Sequence, residues 1–179
     1  METKRKSQAN LLARECIVKA LLQLAQTKPL SSITISELTE RAGVSRMTFY
    51  RNYRSKEDVF SSYLREILED YHETDLELDM PEPYYGRRRM INCFRHGYRY
   101  RDFFDGLIQC GFGNIFLKYL TAYVISKWTR EDSTTKDRYK LAAFSGQLYN
   151  LYIYWSENHY RESPQELADI VGEIYGSLP

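Results

Sequence analysis

A tight turn, Gly43-Val44-Ser45, joins two short helical segments and confines the chain to a helical hairpin at this point. Before the turn, Thr34-Ile35-Ser36-Glu37 has the capping-box pattern with which helices begin, and Gly43 is the residue that most often ends one. After the turn, Ser45 can cap a second short helix that runs to about Asn52. The segment Ile33–Phe60 therefore predicts a helix-turn-helix.

The rest of the chain also follows helical spacing. Apolar residues recur at helical intervals from about Gln8 to Gln26, which predicts a first amphipathic helix. Only nine glycines and five prolines interrupt the 179 residues, and no strand pattern is present. We therefore predict an all-α fold of about nine helices. The remaining helices are predicted to open near Ser55, Arg87, Arg101, Asn114, Thr135 and Ser163.

Charge divides the chain into two parts. Residues 1–58 contain eleven Lys and Arg against six Asp and Glu, whereas residues 59–179 contain fourteen against eighteen. A basic head suits a protein that approaches a polyanion with one end, although an ordinary solvated surface explains the same charge balance. We predict a helix-turn-helix DNA-binding domain over 1–58 and a second, helical domain over 59–179.

The second helix of the predicted hairpin carries side chains suited to a DNA groove. The major groove of DNA is about 12 Å wide and admits a helix that presents a few side chains to base edges. The side chains that this helix is predicted to expose are Arg46, Met47, Thr48, Tyr50 and Arg51.

The order of residues from Ile33 to Val59 closely resembles the signature of the TetR/AcrR family of bacterial regulators. The shared features are an isoleucine-threonine entry, an alanine-glycine-valine-serine turn, then threonine, an aromatic residue, tyrosine and a final lysine-glutamate. Asn52 and Tyr53 depart from the family pattern, and the specific match covers residues 8–60. The resemblance implies a sequence-specific transcriptional regulator that binds double-stranded DNA at a palindromic operator as a homodimer. It implies no enzymatic activity and no cofactor.

Roles on DNA can be assigned within this motif. Arg46 is predicted to read guanine, and Met47 and Thr48 to contact a thymine methyl group, with a phosphate as the alternative for Thr48. Tyr50, Asn52 and Lys56 are predicted to anchor phosphates. Thr34 and Ser45 are predicted to place helix N-termini near the DNA backbone. The alternative is that Arg46 and Arg51 are ordinary surface residues and that Tyr50 is a packing residue. The predicted DNA-binding set is Thr34, Ser45, Arg46, Met47, Thr48, Tyr50, Arg51, Asn52 and Lys56.

The resemblance also implies a dimer seam and a ligand pocket in the C-terminal helices. The seam falls on Thr135–Asn158, whose apolar face is broad, and on Pro164–Leu178. The predicted seam residues are Leu141, Phe144, Leu148, Leu151, Tyr152, Trp155, Ile170 and Ile174. The predicted pocket residues are Phe94, Tyr98, Phe103, Phe104, Ile108, Phe112, Tyr119, Tyr123 and Trp128.

The function that this pattern indicates is a repressor released from its operator by a small ligand or another signal. The alternative is a DNA-binding protein without small-molecule control that acts through a protein partner, as a co-activator or architectural factor. No catalytic or metal-binding motif is present, and no apolar run reaches the roughly 20 residues that span a bilayer. Three widely spaced cysteines indicate the cytoplasm; Cys93 and Cys110 are either a redox sensor or buried thiols.

Overall fold

The computed structural model describes residues 2–77 and 82–176, and it describes side chains over 9–76 and 82–176. Within these ranges the chain forms nine α-helices, one 3-10 helix and no strand, which confirms the predicted all-α fold. The 3-10 helix is Leu30–Ser32. The α-helices are α1 (Glu2–Ala25), α2 (Ile35–Ala42), α3 (Arg46–Asn52), α4 (Lys56–Glu77), α5 (Arg87–Arg99), α6 (Arg101–Gln109), α7 (Gly113–Trp128), α8 (Thr135–Glu157) and α9 (Pro164–Gly176).

Local capping explains where the short helices begin and end. The Thr34 hydroxyl accepts a hydrogen bond from the Glu37 amide at 3.2 Å, and the Ser45 hydroxyl accepts one from the Thr48 amide at 3.0 Å. Gly43 ends α2 with φ at +66°, a left-handed conformation that L side chains rarely adopt. These signals lie in the sequence, and α2 and α3 have the predicted extents. By contrast, α1 begins at Glu2, six residues before the predicted start.

Contacts within the chain define two compact units. The first runs as far as Leu64 and includes Gly106–Ile115, and the second comprises Arg65–Asp105 and the chain from Phe116 onward. The predicted boundary between residues 58 and 59 falls inside α4, which continues from the first unit into the second. The contribution of Gly106–Ile115 to the first unit has no counterpart in the predicted domains.

The first unit is built around α1, which packs against α2 and α3. Its core contains side chains with no exposed surface, among them Leu21, Leu38, Phe49 and Phe60. Tyr53 closes this core with 2% of its surface exposed, and its hydroxyl accepts a hydrogen bond from the Arg14 guanidinium at 3.5 Å. The helix-turn-helix is therefore held on a packed base of apolar side chains.

The second unit is a helical bundle in which α5 packs against α9. Arg87 on α5 and Asp169 on α9 form a bidentate ion pair at the surface of this contact. Arg87 Nε donates to Asp169 Oδ1 at 2.5 Å, and Arg87 Nη2 donates to Asp169 Oδ2 at 3.1 Å. The start of α9 has the predicted capping box, in which the Ser163 hydroxyl accepts from the Glu166 amide and the Glu166 carboxylate accepts from the Ser163 amide.

The apolar stripe of α8 faces the interior of this second unit. Its side chains are between 2% and 6% exposed in the single chain, namely Leu141, Phe144, Leu148, Tyr152 and Trp155. Their prediction as seam residues was wrong, because a side chain already buried in its own subunit offers no surface to a partner. Of the other predicted seam residues, Leu151 is half-buried, whereas Ile170 and Ile174 on α9 are 38% and 47% exposed.

Candidate nucleic-acid interface and internal cavity

One face of α3 presents four exposed side chains in a continuous group. Arg46 and Arg51 are exposed, and Met47 and Tyr50 show 71% and 58% of their surface. Residues spaced one, four and five positions apart lie on one side of a helix, so the four side chains form a single surface. We call this group the α3 face. It combines two guanidinium groups with two large apolar or aromatic side chains.

The opposite side of α3 is engaged within the protein. Phe49 has no exposed surface, and the Thr48 and Ser45 hydroxyls lie 2.9 Å apart. The Asn52 side-chain amide donates to the Thr48 carbonyl oxygen at 2.8 Å. Thr48 and Asn52 both belong to the predicted DNA-binding set. Each of them therefore already makes a hydrogen bond within α3 or with its capping residue.

Lys56, which the sequence assigned to phosphate binding, is half-buried at the start of α4. Its ammonium donates to the Ile33 carbonyl oxygen at 2.8 Å and to the Ser31 carbonyl oxygen at 3.1 Å. These carbonyls belong to the turn that precedes α2. Lys56 thus fastens that turn to α4, a structural role that the sequence motif does not reveal.

The first turn of α2 is set by a similar polar contact. The Lys28 ammonium donates to the Glu37 carboxylate at 2.6 Å. This hydrogen bond and, to a smaller degree, the backbone of Thr34 lower the pKa of Glu37, so the carboxylate stays ionised at the helix start. The N-terminus of α2 is therefore held both by the Thr34 cap and by the contact between Lys28 and Glu37.

The second unit contains a partly open cavity of about 300 Å³. Its walls come from α4 to α8 and from Tyr84, which precedes α5. The predicted pocket residues that line it are Phe94, Phe104, Tyr123 and Trp128. The lining residues that sequence reasoning did not assign to a pocket are Ile67, Leu68, Tyr71, His72, Asp75, Leu76, Tyr84, Arg89, Met90, Cys93, His96, Gly97, Phe116, Leu120, Val124, Lys127, Phe144, Leu148 and Tyr152.

The other five predicted pocket residues do not line this cavity. Ile108 and Phe112 belong to the first unit, where Phe112 packs against Phe60 at a ring distance of 5.4 Å. Tyr98 is 42% exposed and lies beneath the Arg101 guanidinium. Phe103 is buried and Tyr119 is half-buried, both outside the cavity wall. Helical spacing alone does not tell which side of α6 and α7 faces a cavity.

Most of the lining is apolar or aromatic, but one group of side chains is charged. The Arg89 guanidinium pairs with the Asp75 carboxylate, with about a tenth of each side chain exposed, and it lies 4.8 Å from the centre of the Trp128 ring. The Lys127 ammonium contacts His72 Nε2. We call His72, Asp75, Arg89 and Lys127 the polar end of the cavity.

Nearby titratable groups are held in their neutral forms. Burial, with a smaller contribution from the Asp75 charge, raises the pKa of the Cys93 thiol to about 12. Burial also raises the pKa values of Tyr71 and Tyr123. Because the thiolate is the reactive form of cysteine, Cys93 is a poor candidate for a redox sensor. The three cysteines form no disulfide with one another.

A second polar cluster lies between α6 and the end of α8. The Asp105 carboxylate accepts hydrogen bonds from Tyr160 at 2.6 Å, from Ser156 at 2.7 Å and from Tyr152 at 3.3 Å. Burial and, to a smaller degree, the hydrogen bond to Asp105 raise the pKa of Tyr160 to about 12. Since Tyr152 also lines the cavity, this cluster connects the cavity wall to α6.

The part of the chain that the structure describes contains no candidate metal site. No group of three or more His, Cys, Asp or Glu side chains there is placed to hold a metal ion. No helix among those residues is both long and apolar enough to cross a bilayer.

The fold has close relatives among solved structures. A Clostridium perfringens protein to which regulation of fatty acid metabolism has been ascribed is 19% identical, has a TM-score of 0.57, and aligns over 92% of this chain and 98% of its own. The fatty acid degradation regulator FadR from Bacillus halodurans is 13% identical, with a TM-score of 0.53 and coverage of 90% and 93%. The dihydroxyacetone kinase operon activator DhaS is 18% identical, with a TM-score of 0.51 and coverage of 92% and 94%. At these identities the likeness concerns the fold. A comparison with curated protein sequences found no match.

The helix-turn-helix with its exposed α3 face, joined to a helical unit, defines a DNA-binding transcription regulator. Residues 17–63 match the family model of bacterial regulatory proteins, tetR family. The segment that contains the helix-turn-helix is therefore similar to this family, as the motif around Gly43 predicted.

Proposed function

We propose that this protein is a dimeric repressor that binds operator DNA through the α3 face and releases it when a small molecule fills the cavity of the second unit. The observation that carries the ligand-controlled part is the cavity itself, because closely packed helical units rarely retain a largely apolar, partly open space of this size. Its apolar wall with a few polar groups is typical of small-molecule sites. Such a regulator acts where bacterial DNA lies, in the cytoplasm.

Two helices connect the proposed ligand site to the DNA-binding unit through the chain itself. α4 begins within the first unit and contributes Ile67, Tyr71 and Asp75 to the cavity wall. α6 contributes Phe104 to the same wall and continues into the first unit at Gly106. A ligand that repositions these wall residues acts on helices that the DNA-binding unit shares. This continuity favours a regulator that a ligand controls, rather than a DNA-binding protein without ligand control.

A dimer requires an exposed face in the second unit, and α8 and α9 supply one. On α8, Tyr139, Ala143 and Tyr154 are exposed on the side away from the buried stripe, and a side chain added at Gly146 would meet no atom within 4 Å. On α9, Ile170 and Ile174 are exposed. We propose that this surface, rather than the predicted stripe, meets the partner subunit. Two α3 faces fixed in this way would read a palindromic operator.

Filling the cavity by mutation tests ligand control without knowledge of the ligand. Leu120→Trp places an indole in the cavity, and the matched control Ala122→Trp places one on the exposed side of α7. With a promoter fragment from the protein's own gene region, fluorescence anisotropy should show weaker binding for Leu120→Trp and unchanged binding for Ala122→Trp. Circular dichroism checks that both variants are folded. Equal operator binding by a folded Leu120→Trp would contradict ligand control.

A further inference from the structure

We infer that the ligand of the cavity is an uncharged amphipathic molecule with an apolar or aromatic body and a head that both donates and accepts a hydrogen bond, such as an alcohol, a phenol or a primary amide. This inference rests on the proposed function and names the chemical class of its effector. Three features of the cavity carry it: its charge balance, its unused hydrogen-bonding atoms, and its apolar wall.

Two of the three charged groups at the polar end, Arg89 and Asp75, are already paired with each other, and the guanidinium also lies over the Trp128 ring. The third, the Lys127 ammonium, contacts the His72 ring. An anionic head that binds Arg89 would have to displace Asp75, and a cationic head that replaces Arg89 on Asp75 would have to displace the guanidinium. Either exchange leaves a buried charge without its partner, which is costly in a low-dielectric site. A neutral head leaves the pair intact.

Two buried atoms at the polar end have no hydrogen-bond partner among the described residues, Nδ1 of His72 and Oδ1 of Asp75. An ammonium can only donate, so the Lys127 contact requires His72 Nε2 to be the unprotonated ring nitrogen. The proton is therefore on Nδ1, which makes this atom a donor, whereas the carboxylate Oδ1 is an acceptor.

His72 and Asp75 lie three residues apart on α4, hence on one face within a single turn. One small head group placed against this face can accept from His72 and donate to Asp75. A hydroxyl group or a primary amide does both. A carboxylate lacks the proton that Asp75 requires, and an ammonium has no lone pair for His72.

The rest of the wall selects the body of the ligand. It is formed mainly by aromatic rings and leucines, including Phe94, Phe104, Phe116, Leu120 and Leu148. A space of about 300 Å³ corresponds to roughly ten water-sized groups, at about 30 Å³ for each. The part of the ligand that this space holds is thus a short chain or a ring.

Three probes that share one skeleton and differ in the head group test this inference: phenylbutanol, phenylbutyrate and phenylbutylamine. Binding to the full-length protein is measured by calorimetry at pH 7.5, with Trp128 fluorescence as a second signal because this indole lies in the cavity wall. We expect phenylbutanol to bind at least about tenfold more tightly than either charged probe, because a carboxylate has no proton to donate to Asp75 and an ammonium has no lone pair to accept from His72.

A variant locates the head group. His72→Leu removes the Nδ1 donor and should weaken phenylbutanol binding about three- to tenfold, while Glu73→Gln, exposed on the same helix, should leave it unchanged. Tighter binding of phenylbutyrate or phenylbutylamine, an unchanged affinity in His72→Leu, or no binding of any probe would overturn the inference. The proposed function fails separately: phenylbutanol would then bind as expected without altering operator affinity.

Discussion

The Tyr160 hydroxyl lies 2.6 and 2.7 Å from the two carboxylate oxygens of Asp105. Tyr160 and His159, which end the turn after α8, both have positive φ, at 56° and 59°. Residues other than glycine adopt this conformation at a cost of about 1 kcal/mol or more, so surrounding contacts must hold the turn in place. The Asp105 carboxylate on α6 supplies that contact.

Removing the Tyr160 hydroxyl should therefore destabilise the second unit. We expect Tyr160→Phe to lower the free energy of unfolding by about 1–3 kcal/mol, the range for a hydrogen bond to a charged group. Urea unfolding followed by circular dichroism measures the change. Tyr154→Phe removes a hydroxyl from a side chain that is 69% exposed, and it should have no effect. Equal stability of the two variants would show that the Asp105 contact does not hold the turn.

The free energy of unfolding should decrease as the pH falls below about 6.5, because of His96. Burial lowers the pKa of this ring below its usual value of 6.5, against a smaller opposing effect from its hydrogen bond to the Ile67 carbonyl oxygen. The unfolded chain therefore binds the proton first, so the stabilisation is complete above pH 6.5 and is lost as pH falls below it. Capping hydrogen bonds and ion pairs lower the pKa values of Glu37 and Asp137 from 4.5 and 3.8, so these two carboxylates titrate below this pH range.

Urea unfolding between pH 7.5 and 5 checks this dependence. His96→Asn should flatten the curve between pH 6.5 and 5, whereas His159→Gln, at an exposed position, should retain the slope of the wild-type protein. A wild-type curve with no slope in this range would contradict the buried neutral state of His96.

The α3 face should read sequence through Arg46. Arg46→Ala should cost about 1–3 kcal/mol of operator affinity and relax the preference at one base pair, because a guanidinium can pair with both acceptors of guanine. Its exposed position predicts an unchanged melting temperature. Arg161→Ala, an exposed arginine of the second unit, is the matched control. An equal loss on all DNA sequences would instead make Arg46 a phosphate contact.

Lys56 should behave differently from Arg46. Because its ammonium serves the Ser31 and Ile33 carbonyls, Lys56→Ala should lower the free energy of unfolding by about 1–3 kcal/mol, in addition to any loss of DNA affinity. Lys19→Ala, at an exposed position of α1, should leave stability unchanged. Thermal unfolding in the absence of DNA separates the two effects. If Lys56→Ala melted at the same temperature as the wild-type protein, the structural role of Lys56 would be contradicted. Only the phosphate-binding role predicted from the motif would then remain.

The dimer face can be tested by placing charge on α9. Ile174→Glu should give a folded monomer, since Ile174 is 47% exposed in the single chain and a charge there would be buried only on association. Leu148→Glu should instead destabilise the subunit, because Leu148 is buried against its own cavity. Sedimentation velocity at micromolar concentration distinguishes these outcomes, with Leu12→Glu on α1 as the control. A dimeric Ile174→Glu would place the interface elsewhere.

The helix-turn-helix was predictable because its signals are local. Thr34, Gly43 and Ser45 determine helix ends through contacts with residues a few positions away, so sequence order carries the geometry. The same holds for Ser163 at the start of α9. The stripe through Leu148 was recognised as apolar, but an apolar stripe has the same spacing whether it faces its own core or a partner. Sequence alone does not decide between them.

The polar end of the cavity was missed for a related reason. His72 and Asp75 lie in an acidic part of α4, and Arg89 lies in a run of three arginines, so both segments resemble solvated surface. Their burial follows only from the pairing of Asp75 with Arg89, fourteen residues away, and from the packing of α5 beside α4. Long-range pairing of this kind has no periodic signature.

The contribution of Gly106–Ile115 to the first unit limits how this protein can be divided. A chimera that joins the first 58 or 64 residues to another regulator would leave this segment behind. Leu22 would then lose its contact with Gly106, where an added Cβ would lie only 3.0 Å from the leucine, and Phe60 would lose the Phe112 ring. A transplant that changes operator choice must therefore either carry this second segment along or exchange only the exposed residues of α3.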